Sequence, residues 1–286
     1  MTEKSAGDAR PREALDLARP EFVPDPNLSH AEMEALQREI AEAATFADEF
    51  PFDADAVRVE AAADLTSGVP AAVDPEHAPG VDPEAPVVVG VDQAFLDDAV
   101  VSAAVALQDG AVVERTHAVS PLSIPYIPGL LAFREGGPIL DALGTLSVEP
   151  DLAVFDGSGR IHFRQAGIAT HVGVALDLPS VGVAKSLLCG DPDDATEERP
   201  EGWSTPIRAA DSVEAPDGTV IGHAYQSRQY PNSRRVNPLY VSPGHRVSAE
   251  TTRDLVGRLC AGYKLPEPTR LADAYADEVK RRLQQA

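Results

Sequence analysis

Hydrophobic residues recur along this chain in two patterns, one with the period of a helix and one typical of buried strands. Behind a capping box that begins at Ser29, apolar residues from Met33 to Ala44 recur at three- and four-residue spacing and predict a helix over 30–48. Apolar runs rich in β-branched residues predict strands. These runs lie at 86–92, 99–108, 111–118, 152–156, 179–184, 219–225 and 236–241.

The order of these elements predicts the fold class. Asp109-Gly110 is a strong hairpin signal between the second and third strands, so the first three strands should form an antiparallel meander. Further helices are predicted at 138–146, where Pro138 suits a first turn, at 166–176, behind Ser248, and at 270–284. Alternation of helix and strand after a meander indicates an α/β fold with a mixed sheet flanked by helices.

The chain is predicted to form one domain with an appendage. Residues 1–28 are Pro-rich and charged, which favours a poorly ordered acidic tail, and residues 29–286 should form a single domain with a loose acidic connection over 51–85. No apolar run is long enough to span a bilayer, and the first residues contain no apolar signal region. With only Cys189 and Cys260, we expect a cytoplasmic protein. We expect a monomer, because no strong interface pattern stands out in the sequence.

The net charge of the chain limits which ligands it can bind. The chain has 46 acidic against 24 basic residues, a net charge of −22, and its only lysines are Lys4, Lys185, Lys264 and Lys280. So acidic a chain should repel polyphosphate. Either nucleic acid is not its ligand, or it works in very high salt, where a Debye length of roughly 3 Å screens the repulsion. The scarcity of lysine favours a salt-loving source.

Three segments contain no acidic residue at all: 115–134, 157–176 and 221–249. An acidic protein that spares three segments is expected to present them to an anionic partner. Chance clustering is the competing explanation.

Two carboxylates stand where metal chemistry is plausible. Asp92 and Asp156 each end a predicted apolar strand, and strand ends in an open α/β sheet meet at the crevice where ligands bind. A divalent cation would compensate carboxylates close to a core, and oxygen ligands suit Mg²⁺ or Mn²⁺. A strand-end aspartate also commonly caps a helix or forms a turn, so the pattern leaves both roles open.

Four blocks of sequence resemble the endonuclease V family. They are PYIPGLLAFRE at 125–135, the stretch 150–190 that contains VFDGSGRIHFR, NPLYVSPGHRVS at 237–248 and GYKLPEPTRLADAYA at 262–276. They occur in the family's order and span roughly residues 30–280, which makes the combination specific. The resemblance implies a ribonuclease H-like fold and a Mg²⁺-dependent endonuclease that repairs DNA by cutting at the second phosphodiester 3′ of inosine.

Carried over to this sequence, the resemblance implies a set of site residues. Asp92, Glu135 and Asp156 match the family's metal-binding acids. Lys185 matches a lysine beside the scissile phosphate, and His245 of the GHRVS motif matches a histidine near the metal.

The expected nucleic-acid contacts follow from the same blocks. Tyr126, held between prolines in the segment Pro125, Tyr126, Ile127, Pro128, matches a wedge that parts the strands beside the lesion. Gly129, Gly157, Gly159 and Gly167 are expected to line a pocket for a flipped base, and His162, Arg164 and Arg246 to touch the nucleic acid. The chain departs from the family at Ser158 and Phe163, which affects pocket detail rather than the acids.

Three alternatives stay open on sequence alone. The same chemistry could act on inosine in RNA, because a pocket that senses 2′-hydroxyls cannot be seen in a sequence. A protein that binds damaged nucleic acid without cutting is a second, although the intact acid set argues against it. A phosphotransferase on the same broad fold is a third, and no Gly-rich phosphate loop supports it.

Overall fold

A nine-stranded mixed sheet forms the centre of the molecule in the computed structural model, which describes residues 17–285. Its strand order is β3-β2-β1-β4-β5-β9-β8-β7-β6. The strands are β1 Val87–Phe95, β2 Ala99–Gln108, β3 Ala111–Pro121, β4 Leu152–Asp156, β5 Ser180–Ala184, β6 Asp191–Pro192, β7 Ser204–Arg208, β8 Val220–Tyr225 and β9 Leu239–His245.

The pairing of these strands confirms the predicted fold class. β1, β2 and β3 form the antiparallel meander, and Asp109 and Gly110 both adopt positive φ in the tight turn between β2 and β3. β4 and β5 continue the sheet parallel to β1, whereas β9 runs antiparallel to β5. The carboxyl ends of β1, β4 and β5 therefore lie at one edge of the sheet, called here the carboxylate edge.

Helices cover both faces of the sheet and divide the core in two. α2 (Leu131–Leu143) and α3 (Ile168–Leu176) pack on one face. α4 (Ala249–Leu259) and α5 (Glu267–Gln285) pack on the other, where they bury Leu255, Leu271 and Val279 against the strands. α1 (His30–Ala43) lies outside α3 and begins at the predicted capping box.

Two predicted helix boundaries differ from the structure by five residues or more. α2 begins at Leu131 instead of Pro138, so Pro138 lies inside the helix and Glu135 is helical. Burial of Ala132 and Ile139 in the core cluster that contains residues of β1 and β4 offsets the cost of an internal proline. α1 ends at Ala43 rather than near residue 48. β7 was not predicted, because its five residues contain only one buried large hydrophobic side chain, Ile207.

Segments expected to be loose make specific contacts. Residues 1–16 lie outside the described part of the chain, but 17–28 differ from the predicted tail: Pro20–Phe22 forms a 3-10 turn, and the backbone carbonyl of the buried Phe22 accepts a hydrogen bond from His171 Nε2 at 2.9 Å. The acidic connection over 51–85 buries Val57, Val59 and Val69 in the core beneath α4 and α5. Among residues 17–285, no helix is long and apolar enough to cross a membrane.

Candidate functional site

Three carboxylates meet at the carboxylate edge. Val91 of β1 pairs with Phe155 of β4, so Asp92 and Asp156 are the next residues on two adjacent parallel strands. Glu135 reaches the same place from α2. The three acids line one open cavity of about 550 Å³ together with Tyr126 and Arg134.

The surroundings of two of these acids disfavour their charge. Asp92 is only 8% exposed, and burial first, then the neighbouring Asp156, raises its pKa to about 8. Burial raises the pKa of Glu135 to about 7, although the Arg134 guanidinium opposes the shift. Carboxylates poised in this way at a cavity gain strongly from a nearby cation.

Two basic side chains already bind two of the acids. Lys185, the residue after β5, donates to Asp156 Oδ2 at 2.8 Å, and Arg134 donates to Glu135 Oε1 at 3.0 Å. In this arrangement no group of three or more His, Cys, Asp or Glu side chains within residues 17–285 is close enough to hold a metal ion.

One oxygen remains uncompensated, and it provides the test of whether a cation fits. Asp92 Oδ2 is buried and has no hydrogen-bond partner among the described residues. An orphaned carboxylate oxygen beside Asp156 and Glu135 is chemically suited to a hard divalent cation. The residues therefore fit a metal, provided that the side chains bound by Lys185 and Arg134 turn toward Asp92.

Sequence analysis did not predict a fourth carboxylate at this edge. Asp273 on α5 is exposed at the surface, yet partial desolvation raises its pKa, and its charge in turn raises the pKa of Asp92. α5 can approach so closely because of Gly90, where a Cβ would lie 2.1 Å from the Pro268 carbonyl group. The available signal was an acid inside the block at 262–276, next to the buried positions Leu271 and Ala272.

A second, smaller cavity of about 80 Å³ adjoins the first, and Tyr126 and Leu131 line both. Its other walls include Pro128, Gly129, Gly157, His162, Gly167 and Leu188. A Cβ on Gly157 would lie 2.6 Å from the Ile168 side chain, and φ there is +150°, so only glycine fits at this wall.

The segment that carries Tyr126 is fixed from one end. The Gly129 carbonyl accepts hydrogen bonds from His162 Nε2 at 3.0 Å and from the fully buried Gln37 amide of α1 at 2.9 Å. Burial lowers the pKa of His162 to about 4, so this ring is neutral and acts as a donor. The Tyr126 side chain itself is 65% exposed at the mouth of both cavities.

Two expected nucleic-acid contacts instead have structural roles. Arg164 lies away from solvent, where it donates to Gln37 Oε1 at 3.0 Å and pairs with Glu34. Gly159 does not line the small cavity, and a Cβ there would lie 2.2 Å from the Pro243 carbonyl oxygen.

Of the other residues in the segment 125–128, two are at the surface and one is packed in the core. Pro125 and Pro128 are exposed beside Tyr126, whereas Ile127 packs against a small core cluster around Leu130 and Phe133.

The structure does not bring His245 or Arg246 to the carboxylates. His245 pairs with Ser180 at the start of β5, three residues or about 10 Å from the level of Val183 beside Asp156. Its buried ring donates to Asp177 Oδ1 at 2.9 Å and accepts from the Thr45 amide at 3.1 Å.

Arg246, next to His245, forms a hydrogen bond and an ion pair of its own. Its Nε donates to the Glu49 carbonyl at 2.6 Å, and its Nη1 lies 3.3 Å from Asp177 Oδ2. Both residues thus tie the chain after α1 to the edge of the sheet opposite the carboxylates.

Comparisons with known proteins give one consistent family. The family model for endonuclease V matches residues 73–274. The endonuclease V of Natronomonas pharaonis, a halophilic archaeon, is 58% identical over 268 residues, which cover 94% of this chain and 98% of that protein.

Solved structures agree with the fold. The endonuclease V of Streptomyces avermitilis superposes with a TM-score of 0.69 at 30% identity, over 93% of this chain and 98% of its own. The Ciona intestinalis enzyme, solved with a DNA that contains an inosine followed by a ribo-adenosine, superposes with a TM-score of 0.62 at 24% identity, over 88% and 98% of the two chains.

Proposed function

This chain belongs to the endonuclease V family, and we propose that it is a Mg²⁺-dependent endonuclease that cuts DNA on the 3′ side of inosine. The observation that carries the proposal is the unpaired, buried Asp92 Oδ2 at a carboxylate edge that adjoins a second cavity. An acid cluster supplies the chemistry and the adjoining cavity supplies a place for a base, which is the combination that base-directed cleavage needs.

Asp92, Glu135 and Asp156 would hold the ion, with Asp273 beside them, and Mn²⁺ could replace Mg²⁺. When bound, the ion supplies a water-derived nucleophile at neutral pH and stabilises the leaving oxygen. Lys185, half-exposed beside Asp156, is placed to release that carboxylate and neutralise a phosphate oxygen of the substrate.

The small cavity would take the inosine base. Tyr126, exposed between two prolines, inserts where the base leaves the stack, and Gln37 and His162 hold its segment through the Gly129 carbonyl. Backbone groups near Gly129 and Gly157 can approach the base edge closely because neither residue has a side chain. With the base held there, cleavage at the second phosphodiester 3′ of inosine leaves a 3′-hydroxyl and a 5′-phosphate.

The test is cleavage of end-labelled oligonucleotides with one inosine, as DNA and as RNA, in several molar KCl with Mg²⁺ or EDTA. We expect one cut 3′ of inosine in DNA that EDTA and Asp156→Ala both abolish. Asp217→Ala, at an exposed turn remote from the edge, is the matched control and should cut normally. Faster cleavage of the RNA would reassign the substrate, and tight binding without any cut would replace the nuclease by a binding protein.

A further inference from the structure

A hairpin loop at the carboxylate edge has no role in the site described so far. Residues 226–238 connect β8 to β9, and we call them the 226–238 hairpin. Tyr225 pairs with Leu239 at its base, and Ala184, the residue before Lys185, pairs with Tyr240. The hairpin therefore projects from the same edge of the sheet as the carboxylates.

The base of the hairpin lies beside the site's basic residues. Ser227 donates to the Lys264 carbonyl at 2.6 Å. Burial and then the Lys185 charge lower the pKa of Lys264, which puts these two ammonium groups within electrostatic range of each other. Lys264 stands between α4 and α5, so the hairpin lies on the opposite face of the sheet from the small cavity, which α2 and α3 enclose.

Hydrogen bonds within the hairpin, and one to the neighbouring Arg199, hold the hairpin in one conformation. The Gln226 amide donates to the carbonyls of Arg228 at 2.7 Å and Val236 at 2.8 Å, and the Gln229 amide donates to the Arg199 carbonyl at 3.0 Å. A loop that is anchored in this way can present side chains without a large entropic cost on binding.

The side chains it presents are those of a nucleic-acid contact. Tyr230 is 57% exposed near the tip. Arg234 is exposed and donates only to the Glu198 carbonyl, and Arg235 is exposed with no hydrogen bond or ion pair within residues 17–285. Arg228, by contrast, forms an ion pair with Glu201, in which Arg228 Nη1 lies 3.3 Å from Glu201 Oε2.

We propose that the 226–238 hairpin binds the nucleic-acid strand on the 3′ side of the cut, with Tyr230 stacked on a base and Arg234 and Arg235 on phosphates. This rests on the proposed nuclease function, which puts the inosine base in the small cavity and the cut at the carboxylates. In this proposal, a strand that continues 3′ from the cut passes toward Lys264 and the hairpin, which projects from the same edge of the sheet as the carboxylates. An exposed aromatic ring beside two guanidinium groups that form no ion pair within residues 17–285 suits a single strand whose bases are accessible.

The experiment measures fluorescence anisotropy of labelled inosine DNA in several molar KCl with EDTA, where binding is separate from cleavage. Substrates carry a short flank of about two nucleotides or a long flank of about ten on the 3′ side, and a mirror set varies the 5′ side. For the wild type we expect roughly tenfold tighter binding with the long 3′ flank. Tyr230→Ala with Arg235→Gln should remove that gain and leave short-flank affinity unchanged.

Two further variants separate contact from folding. Tyr230→Phe retains the ring and should retain the flank effect, and Arg281→Gln, an exposed arginine near the end of α5, is the matched charge control. The proposal is overturned if the wild type shows no 3′ flank effect, if the double variant keeps it, or if the effect follows the 5′ flank. Loss of cleavage on every substrate with the flank effect intact would instead overturn the nuclease function alone.

Discussion

Replacing Asp92 with asparagine should stabilise the metal-free protein while it abolishes cleavage. The side chain is 8% exposed, its Oδ2 has no partner among the described residues, and Asp156 stands on the adjacent strand. Burial and the Asp156 charge raise the pKa of Asp92 from 3.8 to about 8. Asparagine has the same shape without the charge, so it removes the penalty of ionising a buried group.

The sign and the size of this stability difference follow from the difference between the pKa of Asp92 in the folded and in the unfolded chain. Between about pH 4 and pH 8 the unfolded chain has released the Asp92 proton and the folded protein retains it, so wild-type stability falls as pH rises through this window. At 1.36 kcal/mol per pH unit, the range between a pKa of 3.8 and a pKa of about 8 corresponds to about 6 kcal/mol. Because the cavity is open to water, which screens part of this, we expect a gain of about 2–4 kcal/mol for the variant at pH 8.

Chemical unfolding in several molar KCl with EDTA, from pH 4.5 to 8.5, measures the difference between variant and wild type. It should be near zero at the acidic end, grow with pH and level off above pH 8, and an exposed Asp217→Asn control should show no such trend. Mg²⁺ should then stabilise the wild type but not the variant. A difference that does not change with pH, or a variant less stable at pH 8, would refute the reasoning.

Three shorter predictions test other contacts. Gln37→Leu removes one donor to the Gly129 carbonyl and should raise the KM for inosine DNA about tenfold; an unchanged KM would mean that Gln37 does not position the wedge. Gly90→Ala puts a Cβ 2.1 Å from Pro268, so denaturation should show a loss of about 3 kcal/mol together with lost cleavage, and wild-type stability would contradict the close packing of α5. His245→Gln should lower the free energy of unfolding by about 2 kcal/mol and leave kcat unchanged, whereas a tenfold fall in kcat would return this histidine to the catalytic centre.

The strands were predictable because their signal is local. Asp109-Gly110 specifies a turn by its own backbone preferences, and the apolar runs of β1 and β4 locate Asp92 and Asp156 without reference to the rest of the fold. Only Asp156 ends its strand, however, because β1 continues past Asp92 to Phe95. The start of α2 was not predictable in this way. Pro138 suits the first turn of a helix, and only the burial of Ala132 against the sheet and of Phe133 against α1 makes helix the better state upstream of it.

The same distinction between local and long-range signals applies to the site residues. Asp92 and Asp156 come together through neighbouring parallel strands, whereas Asp273 and Gln37 reach the site from helices distant in sequence. His245 shows the opposite error. A motif gives no strand direction, and because β9 runs antiparallel to β5, a residue at its carboxyl end lies at the edge away from the acids.

The acid content of the chain is arranged around this site. The acid-free segments contribute the Tyr126 wedge, the wall of the small cavity after Asp156 and the 226–238 hairpin, all of which meet at the carboxylate edge. At molar salt, charges farther than roughly 3 Å from a phosphate are screened, so only the contact surface has to be free of acids other than the proposed metal ligands. A net charge of −22 is then compatible with a polyanionic substrate. It follows that neutralising acids remote from this edge should strengthen DNA binding at low salt and leave it unchanged at several molar KCl.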